Sequence, residues 1–558
     1  MKTKLLRKHL FLAAGIVLLI VFISWLFLHR YDFIQVQATR GNLVFDGHLI
    51  GRKEFLSQDN KVYLAISDVK ELLGGEWFFD ADEQELIYTS PTIVLRLQAA
   101  SKKVLLNQQG QFVQFPLIVQ DEKAYLEVAY LTTIYPLGYE YYPQTDTLAL
   151  YQAGKEYQQS TIAENTIIRS KAEADSGYVE KLTITTDAIF LQPVGAWQEV
   201  LMSTGQLGFV PKTAVTSPLA ISWQNKQNLP VVTEFISPIK PPLNLTWDYV
   251  NKQTPRLEKL TTAPGVNVIA PTWFALADLD GSITSKAEKY YLEWAKTQKL
   301  AVWPSVTNAF SPKLTNALLE SSKNRAAFIE NLLSLAKEYQ LQGLNIDFEN
   351  IYQADKTLLT QLVRELVPLA HKQGITISMD VTGYSTSPTW SLCYDRKALG
   401  ERVDFLIYMA YDQHTASGEE VGSVAEVSWV KENIAQMLEE VAAEKLILAM
   451  PLYQRLWFTD LQGKITVRSI GMNTAATWIA ENKPKISYDQ QAGQNYVELQ
   501  TTTGAFQMWI EDTQSLENRI NLAAANSLGG IATWRKGFEK PGIWQFIAEK
   551  LLHFPTKD

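Results

Sequence analysis

Three polar side chains alternate with apolar ones in a short run whose residue types could carry out catalysis. The run reads Asn345-Ile346-Asp347-Phe348-Glu349. In a strand, side chains two apart share a face, so Asn345, Asp347 and Glu349 point together. Two carboxyl groups on one face of a strand can act together in catalysis. The spacing therefore predicts a catalytic site at this strand.

A structural ion pair is the alternative explanation for these carboxyl groups. Burying a carboxylate without a partner is costly or raises its pKa. The surrounding residues 341 to 351 contain no lysine or arginine that could serve as the partner. We therefore favour catalysis over a structural role.

The elements that must position this run follow a repeating order. After residue 242, apolar runs alternate with amphipathic helices, the pattern that produces a parallel sheet. A capping box at Ser285 and Glu288 predicts one helix start. We predict an α/β fold, a C-terminal (β/α)8 TIM barrel with an insertion before the last strand, whose sites lie at the carboxyl ends of the strands. The predicted strands are residues 243–247, 266–270, 301–306, 343–348, 375–381, 403–409, 445–450 and 530–534.

The barrel resembles glycoside hydrolase family 18, in particular the branch that attacks bacterial wall or spore glycan. The family signature on the fourth strand is Asp-Gly-x-Asp-x-Asp-x-Glu. Gly343, Asp347 and Glu349 match it, whereas Gln342 and Asn345 replace its first two acids. The resemblance continues through residues 271–274, 303–310, 394–396, 409–412, 451–455 and 532–534.

The resemblance implies substrate-assisted, retaining hydrolysis of a glycan built on N-acetylated amino sugars. Glu349 would donate the proton, and Asp347 would hold the N–H of the substrate's 2-acetamido group. Tyr411 would hydrogen-bond the acetamido oxygen, which attacks the anomeric carbon. The other residues expected to contact substrate are Asn345, Met409, Asp412, Trp534, Trp273, Asn308 and Arg455. No cofactor is implied.

Three functions remain open for this site. The first is cleavage of peptidoglycan as an N-acetylglucosaminidase, and the second, a chitinase or chitooligosaccharide hydrolase, shares the same chemistry. The third is a catalytically weak glycan-binding surface protein, suggested by the missing acids at Gln342 and Asn345. The retained Glu349 argues against the third, because binding alone needs no proton donor.

Composition excludes several other classes. The net charge of -8 disfavours a phosphate-binding surface, so no nucleic acid partner is expected. Cys393 is the only cysteine, which excludes an intramolecular disulfide. The 6 histidines are scattered without the i, i+4 pair of a zinc helix, so no metal site is predicted. The oligomeric state cannot be inferred from the sequence.

The N-terminus contains an uncharged apolar run at residues 10 to 28. At ~1.5 Å per residue, such a run nearly matches a ~30 Å hydrocarbon core. The basic residues Lys2, Lys4, Arg7 and Lys8 precede it, which predicts a single-pass anchor with everything after it on the cell-wall side of the cell membrane. A cleaved signal peptide is the alternative, but its apolar region is normally only ~7 to 15 residues. We assign residues 1 to 30 to the cytoplasmic tail and anchor.

Two smaller domains are predicted before the barrel. Residues 31 to 155 contain a weak repeat of strand, short helix and hairpin, and resemble the small α+β domain at the N-terminus of copper amine oxidases. With only His48 in it, this domain is expected to be a spacer or to bind the wall, without copper. Residues 160 to 217 resemble a bacterial Src-homology-3-like β-barrel. A proline-containing linker at 218 to 242 leads to the catalytic barrel at 243 to 558.

Overall fold

The structure is a computed structural model that describes residues 38–58, 61–99, 101–113, 116–216, 218–224, 235–418 and 420–555. Within these ranges no helix has the length and apolar content needed to cross a bilayer. The anchor predicted at residues 10 to 28 lies outside the described residues. The described chain forms two compact units, which divide it differently from the predicted domains.

The elements between residues 38 and 152 contain the predicted repeat. Helix α1 follows β3 and precedes the hairpin β4–β5, and helix α2 follows β10 and precedes the hairpin β11–β12. The bounds are β1 (Ala38–Phe45), β2 (His48–Gln58), β3 (Lys61–Ala65), α1 (Ile66–Leu73), β4 (Glu76–Asp80), β5 (Glu85–Thr89), β6 (Val94–Gln98), β7 (Lys103–Leu106), β8 (Gln109–Phe112), β9 (Leu117–Gln120), β10 (Lys123–Glu127), α2 (Val128–Ile134), β11 (Leu137–Tyr142) and β12 (Thr147–Gln152).

The two hairpins of the repeat join different sheets. One sheet has the strand order β11-β12-β1-β2-β3-β10-β9 and belongs to the first unit. Strands β4 to β8 form a separate antiparallel sheet, and residues 76–98 and 103–112 belong to the second unit with the barrel. The prediction of one domain over residues 31 to 155 is corrected accordingly.

An all-β segment completes the first unit. Its antiparallel sheet has the strand order β15-β14-β18-β17-β16-β13-β19. Strand β19 pairs with β13, so the linker predicted from residue 218 does not begin there. The bounds are β13 (Glu156–Ile162), β14 (Ile167–Arg169), β15 (Tyr178–Lys181), β16 (Thr186–Val194), β17 (Trp197–Met202), β18 (Leu207–Pro211) and β19 (Leu219–Ser222).

The second unit contains the predicted (β/α)8 barrel, and all eight predicted strands are present. The third strand is interrupted, because its first half, β24, pairs with β21 while its second half, β25, pairs with β26. The bounds up to the sixth barrel strand are β20 (Leu243–Asp248), β21 (Val268–Pro271), β22 (Phe274–Leu276), β23 (Ile283–Ser285), α3 (Lys289–Thr297), β24 (Ala301–Val302), β25 (Ser305–Thr307), α4 (Pro312–Glu320), α5 (Ser322–Glu338), β26 (Gly343–Asp347), α6 (Lys356–His371), β27 (Thr376–Thr382), α7 (Arg396–Arg402) and β28 (Phe405–Met409).

The remaining elements include the predicted insertion between the last two barrel strands. It is an antiparallel sheet of order β31-β30-β34-β33-β32 with one helix, α9. The bounds are α8 (Val427–Leu438), β29 (Leu446–Pro451), β30 (Tyr453–Asp460), β31 (Ile465–Gly471), α9 (Met472–Asn482), β32 (Lys485–Asp489), β33 (Gln494–Thr501), β34 (Gly504–Ile510), α10 (Thr513–Ala525), β35 (Gly530–Trp534) and α11 (Ile543–Leu551).

Polar contacts explain why the β4–β8 sheet groups with the barrel. Asp80 accepts a hydrogen bond from the backbone N–H of Ser322 at 2.7 Å, at the start of α5. Glu365, fully buried on α6, pairs with Arg96 of β6 at 3.1 Å and with Arg325 of α5 at 2.9 Å. Because a buried charge is costly unless paired, these contacts require the sheet and the barrel helices to stay together.

Candidate active site

The polar run with the proposed chemistry forms β26 and the turn after it. Asn345 and Asp347 are buried, whereas Ile346 and Phe348 belong to the apolar cluster that packs the strands against the outer helices. Glu349 lies two residues beyond the end of β26 and is half-buried. The alternation predicted from the sequence therefore directs the polar side chains inward, towards the rim where a barrel binds its substrate.

Asn308, after β25, holds the backbone of Glu349 from both sides. Its Oδ1 accepts a hydrogen bond from the Glu349 N–H at 3.1 Å, and its Nδ2 donates to the Glu349 carbonyl at 2.6 Å. The same Nδ2 donates to Thr315 Oγ1 at 2.8 Å, so α4 supports the clamp. These bonds fix the direction of the backbone at Glu349, just after β26.

Replacing Asn308 is expected to lower kcat by more than the accompanying loss of stability would explain. Asn308→Ala leaves the backbone of Glu349 without these partners, which should cost about 1 to 3 kcal/mol in the free energy of unfolding. Misplacing Glu349 should lower kcat about 10- to 100-fold with little change in KM. Steady-state kinetics and urea unfolding of the variant test both effects.

Asn316→Ala is the matched control for this variant. Asn316 lies on the same α4 helix and donates to Asp355 at 3.0 Å, away from Glu349. It should lose comparable stability and keep its kcat. A normal kcat in Asn308→Ala, or an equal loss in both variants, would contradict the clamp.

Burial controls the protonation of the two carboxyl groups. It raises the pKa of Glu349 well above the usual range, and the charges of Asp347 and Asp412 raise it further. Burial also raises the pKa of Asp347, but the hydrogen bond from Ser305 opposes that rise. Ser305 Oγ donates to Asp347 Oδ2 at 3.4 Å. Glu349 therefore keeps its proton to higher pH than Asp347, which divides the pair into an acid and an acceptor.

Asp412 is held by two residues of β30. Tyr453 donates its hydroxyl to Asp412 Oδ1, and Arg455 Nη2 lies 2.6 Å from the same oxygen. Asp412 itself has a positive φ of 60° and remains partly exposed. The insertion thus fixes the direction of a carboxylate that faces the same site as Glu349.

Tyr411 and Trp534 are the aromatic residues predicted at the site. Both pack against the apolar cluster inside the barrel, and Trp534 lies 5.7 Å from Trp247, measured between ring centroids. Burial raises the pKa of Tyr411 well above its usual range, so its hydroxyl stays protonated and can donate a hydrogen bond. Met409, at the end of β28 and two residues before Tyr411, is also buried.

Comparisons with known proteins agree with this geometry. A family model described as glycosyl hydrolases family 18 matches residues 247–538, just over half of the chain. The chain belongs to this family. The uncharacterised glycosylase YvbX of Bacillus subtilis (strain 168) is 26% identical over 294 residues, which cover 50% of this chain and 84% of that protein. The chain is therefore a glycosidase.

Two further comparisons concern an enzyme and a solved structure. The cortical fragment-lytic enzyme of Bacillus subtilis (strain 168) is 25% identical over 264 residues, covering 46% of this chain and 61% of that enzyme. The crystal structure of a chitinase from Chromobacterium violaceum aligns with a TM-score of 0.51 and 21% identity, over 56% of this chain and 99% of that one. The structural likeness shows the shared barrel fold.

Two residues expected to contact this family's substrate lie in the interior instead. Trp273 is 1% exposed, and its indole N–H donates to Thr254 Oγ1 at 2.9 Å. Asn345 is fully buried, accepts from Trp247, and donates to Ser378 and Asp380. Both amide protons of Asn345 are therefore used within the barrel, and the predicted substrate contacts of Trp273 and Asn345 are wrong.

Asn308 and Arg455 were also expected at the glycan and are corrected in the same way. Asn308 is fully buried and uses its amide on the Glu349 backbone. Arg455 is 7% exposed and binds Asp412 and Ser469. Both residues hold other residues of the site in place, because their polar atoms already bond to protein groups.

Sequence reasoning missed three residues that contact the catalytic pair or its neighbours: Ser305, Asp380 and Tyr453. Asp380 had a signal, since Ser378 and Asp380 alternate with apolar residues on a predicted strand, as Asn345 and Asp347 do. The same period of two would have placed them inside the barrel. Tyr453 lies within the resembling run 451–455, but its role was not inferred, because that role depends on where the insertion packs.

Proposed function

We propose that this glycosidase cleaves peptidoglycan as an N-acetylglucosaminidase, by substrate-assisted retaining hydrolysis. The observation that carries the mechanism is that buried Asp347 lies two residues before Glu349 on the same face of β26 and the turn after it, close enough for its charge to raise the pKa of Glu349. Retaining enzymes with their own nucleophile hold the two carboxyl groups about 5 to 5.5 Å apart, on either side of the bond that is cut. Asp347 and Glu349 are two residues apart and point to one face, so both lie on the same side of the bond and Asp347 is unsuited to attack.

The substrate then supplies the nucleophile. Glu349 donates its proton to the glycosidic oxygen while the 2-acetamido carbonyl oxygen attacks the anomeric carbon, and the bond to the leaving sugar breaks. Asp347 accepts a hydrogen bond from the acetamido N–H and offsets the positive charge of the oxazolinium ion. Tyr411 donates to the acetamido oxygen, and Trp534 packs beneath the sugar. Ionised Glu349 next takes a proton from water, which opens the oxazolinium ion.

Wall glycan is favoured over chitin by two features. A relative named cortical fragment-lytic enzyme is 25% identical over 46% of this chain. The predicted anchor would also hold the enzyme on the outer side of its own membrane, next to the wall. Chitin remains the alternative substrate, since its sugars carry the same 2-acetamido group. A catalytically weak binding protein is disfavoured, because its site would not need the clamped proton donor Glu349.

The product of digestion tests the substrate. The full chain, purified in mild detergent, is incubated with peptidoglycan and separately with chitin hexamers, and the products are identified by mass spectrometry. We expect wall disaccharides to form faster than chitin fragments. Cleavage of chitin alone would replace the proposed substrate.

The location is tested by topology. We propose that residues 10 to 28 anchor the chain, with the barrel and the two preceding domains outside and those domains acting as spacers or wall contacts. Protease added to intact, wall-stripped cells is expected to degrade everything after the anchor while a cytoplasmic marker survives. Protein free in the medium and beginning near residue 39 would show a cleaved signal peptide instead.

A further inference from the structure

A third carboxyl group, Asp380 of β27, lies beside the catalytic pair and has no role in the mechanism above. Strand β27 pairs with β26 in a register that sets Asn345 opposite Ser378 and Ile346 opposite Met379. One residue further, the same register sets Asp347 opposite Asp380, on strands that run about 4.8 Å apart. Asp380 is fully buried.

The hydrogen bonds of Asn345 show which oxygen of Asp380 is already bonded and which is not. The indole N–H of Trp247 can only donate, and it donates to Asn345 Oδ1 at 2.8 Å. The amide NH₂ of Asn345 must therefore face the other way, where it donates to Asp380 Oδ1 at 2.8 Å. Asp380 Oδ2 and Asp347 Oδ1 are both buried, and neither has a hydrogen-bond partner among the described residues. One oxygen of each carboxyl group is therefore buried without a hydrogen-bond partner, although buried polar atoms in folded proteins nearly always have one.

The surroundings contain acids and no compensating cation. The titratable groups acting on Asp380 are Asp347 and Glu349, on β26 and its turn, and Tyr411, which follows β28. Among the described residues, no ion pair includes Asp347, Glu349 or Asp380; the nearby basic groups Arg455 and Lys536 pair with other acids. Burial and the charge of Asp347 raise the pKa of Asp380 well above its usual range. Three such neighbours cannot all be ionised.

We propose that Asp380 is a positioning residue whose carboxyl group shares one proton with Asp347 across the β26–β27 pair. This inference rests on the proposed function, in which Asp347 holds the acetamido N–H. Before the sugar binds, the proton lies between Asp380 Oδ2 and Asp347 Oδ1. As positive charge develops on the oxazolinium ion, the proton moves fully to Asp380 Oδ2 and leaves the negative charge on Asp347. The pair keeps a single negative charge throughout the reaction, so no proton has to enter or leave the buried site. Asn345 orients the acid by occupying Oδ1.

Moving the carboxyl group between the two strands tests the proposal. Asp380→Asn supplies a permanent amide donor to Asp347 that cannot take up or release a proton. We expect kcat to fall about 10- to 100-fold, KM to stay within about threefold, and the acid limb of the pH profile of kcat to shift. The double variant Asn345→Asp/Asp380→Asn has the same number of carboxyl groups, returned to β26. It should recover most of the lost kcat and the original pH profile.

A merely structural role predicts a different pattern. Asp380→Asn would then lower the melting temperature, and the double variant would not restore the pH profile. Wild-type kcat and pH profile in Asp380→Asn would overturn the inference while leaving the proposed function intact. The assays use the full chain in detergent with whichever of peptidoglycan and chitin hexamers the wild type cleaves.

Stability measured against pH tests the shared proton without substrate. A carboxyl group whose pKa is raised on folding contributes stability that is present at low pH and is lost as the pH rises through its folded pKa. Asparagine has no such dependence. The melting temperature of Asp380→Asn relative to wild type should therefore rise between pH 4.5 and pH 8. A constant difference would overturn the inference, even if the wild type cleaved neither glycan and the proposed function failed.

Asp248→Asn is the matched control for the stability series. Asp248 is also a buried barrel aspartate, but Lys536 lies 3.1 Å from its Oδ2 and Tyr291 donates to it at 2.7 Å. Removing its charge leaves a buried lysine unpaired, so this variant should be less stable than wild type at neutral pH. If the melting temperature of Asp248→Asn relative to wild type rose with pH as that of Asp380→Asn does, the pH effect would not be specific to the catalytic carboxyl groups.

Discussion

Glu349→Gln is expected to abolish hydrolysis without weakening the fold. The amide keeps the shape of the side chain but cannot give a proton to the glycosidic oxygen. General acid catalysis is typically worth about 10² to 10⁴ in rate, so kcat should fall by at least that factor. Release of reducing ends from peptidoglycan measures the loss.

The stability of this variant makes the result diagnostic. Because burial and the charges of Asp347 and Asp412 raise the pKa of Glu349, its ionised form destabilises the folded state as the pH rises. Glutamine removes that penalty, so the melting temperature should equal or exceed that of the wild type at pH 7 and above. Loss of activity together with loss of stability would point to misfolding instead.

Glu426→Gln is the matched control for Glu349→Gln. Glu426 precedes α8 in the same barrel, where its carboxylate accepts a hydrogen bond from Gln413 at 3.1 Å. A glutamine there changes the charge without touching the proposed acid, and full activity is expected. Wild-type activity in Glu349→Gln would remove Glu349 from the mechanism and favour a different acid at the rim.

The barrel was predictable because its strands leave a strong signal. Buried parallel strands read as apolar runs, and the fourth, β26, ends one residue before its prediction. The third strand was predicted as continuous over residues 301 to 306, but it is divided at Pro304, which has no N–H for the sheet. The repeat was found as well, although its first hairpin joins the barrel's unit, which depends on long-range contacts.

Local signals failed where tertiary contacts compete with them. The capping box predicted at Ser285 and Glu288 is wrong, because Ser285 pairs with Phe274 in the β22–β23 hairpin and α3 begins at Lys289. At the site, the sequence correctly placed Asn308 at the rim of the barrel, but it did not show that the side chain is fully buried there. The sequence identifies the end of a strand, whereas neighbouring side chains decide which polar atoms remain free for a ligand.

The mechanism predicts that the sugar on the non-reducing side of the cut must carry a 2-acetamido group. Asp347 lies two residues before Glu349 on the same face and so on the same side of the bond, and Asp412 is held by Tyr453 and Arg455. A well-oriented nucleophile within the substrate is worth an effective concentration of roughly 10⁵ M or more. Peptidoglycan that has been de-N-acetylated should therefore release no new reducing ends above the level of Glu349→Gln.

Re-acetylating the same glycan with acetic anhydride is the matched control, because it restores the group without changing the chain lengths, and it should restore cleavage. Reduction of the digest with borohydride then identifies the sugar at the new ends. Glucosaminitol from the new ends agrees with a glucosaminidase, whereas muramitol would keep the mechanism and make the enzyme a muramidase. Equal cleavage of the native and de-N-acetylated glycans would require a nucleophile from the protein. Asp347 or Asp412 would then have to reach the face of the sugar opposite Glu349, since a carboxylate can attack the anomeric carbon only from the side opposite the acid.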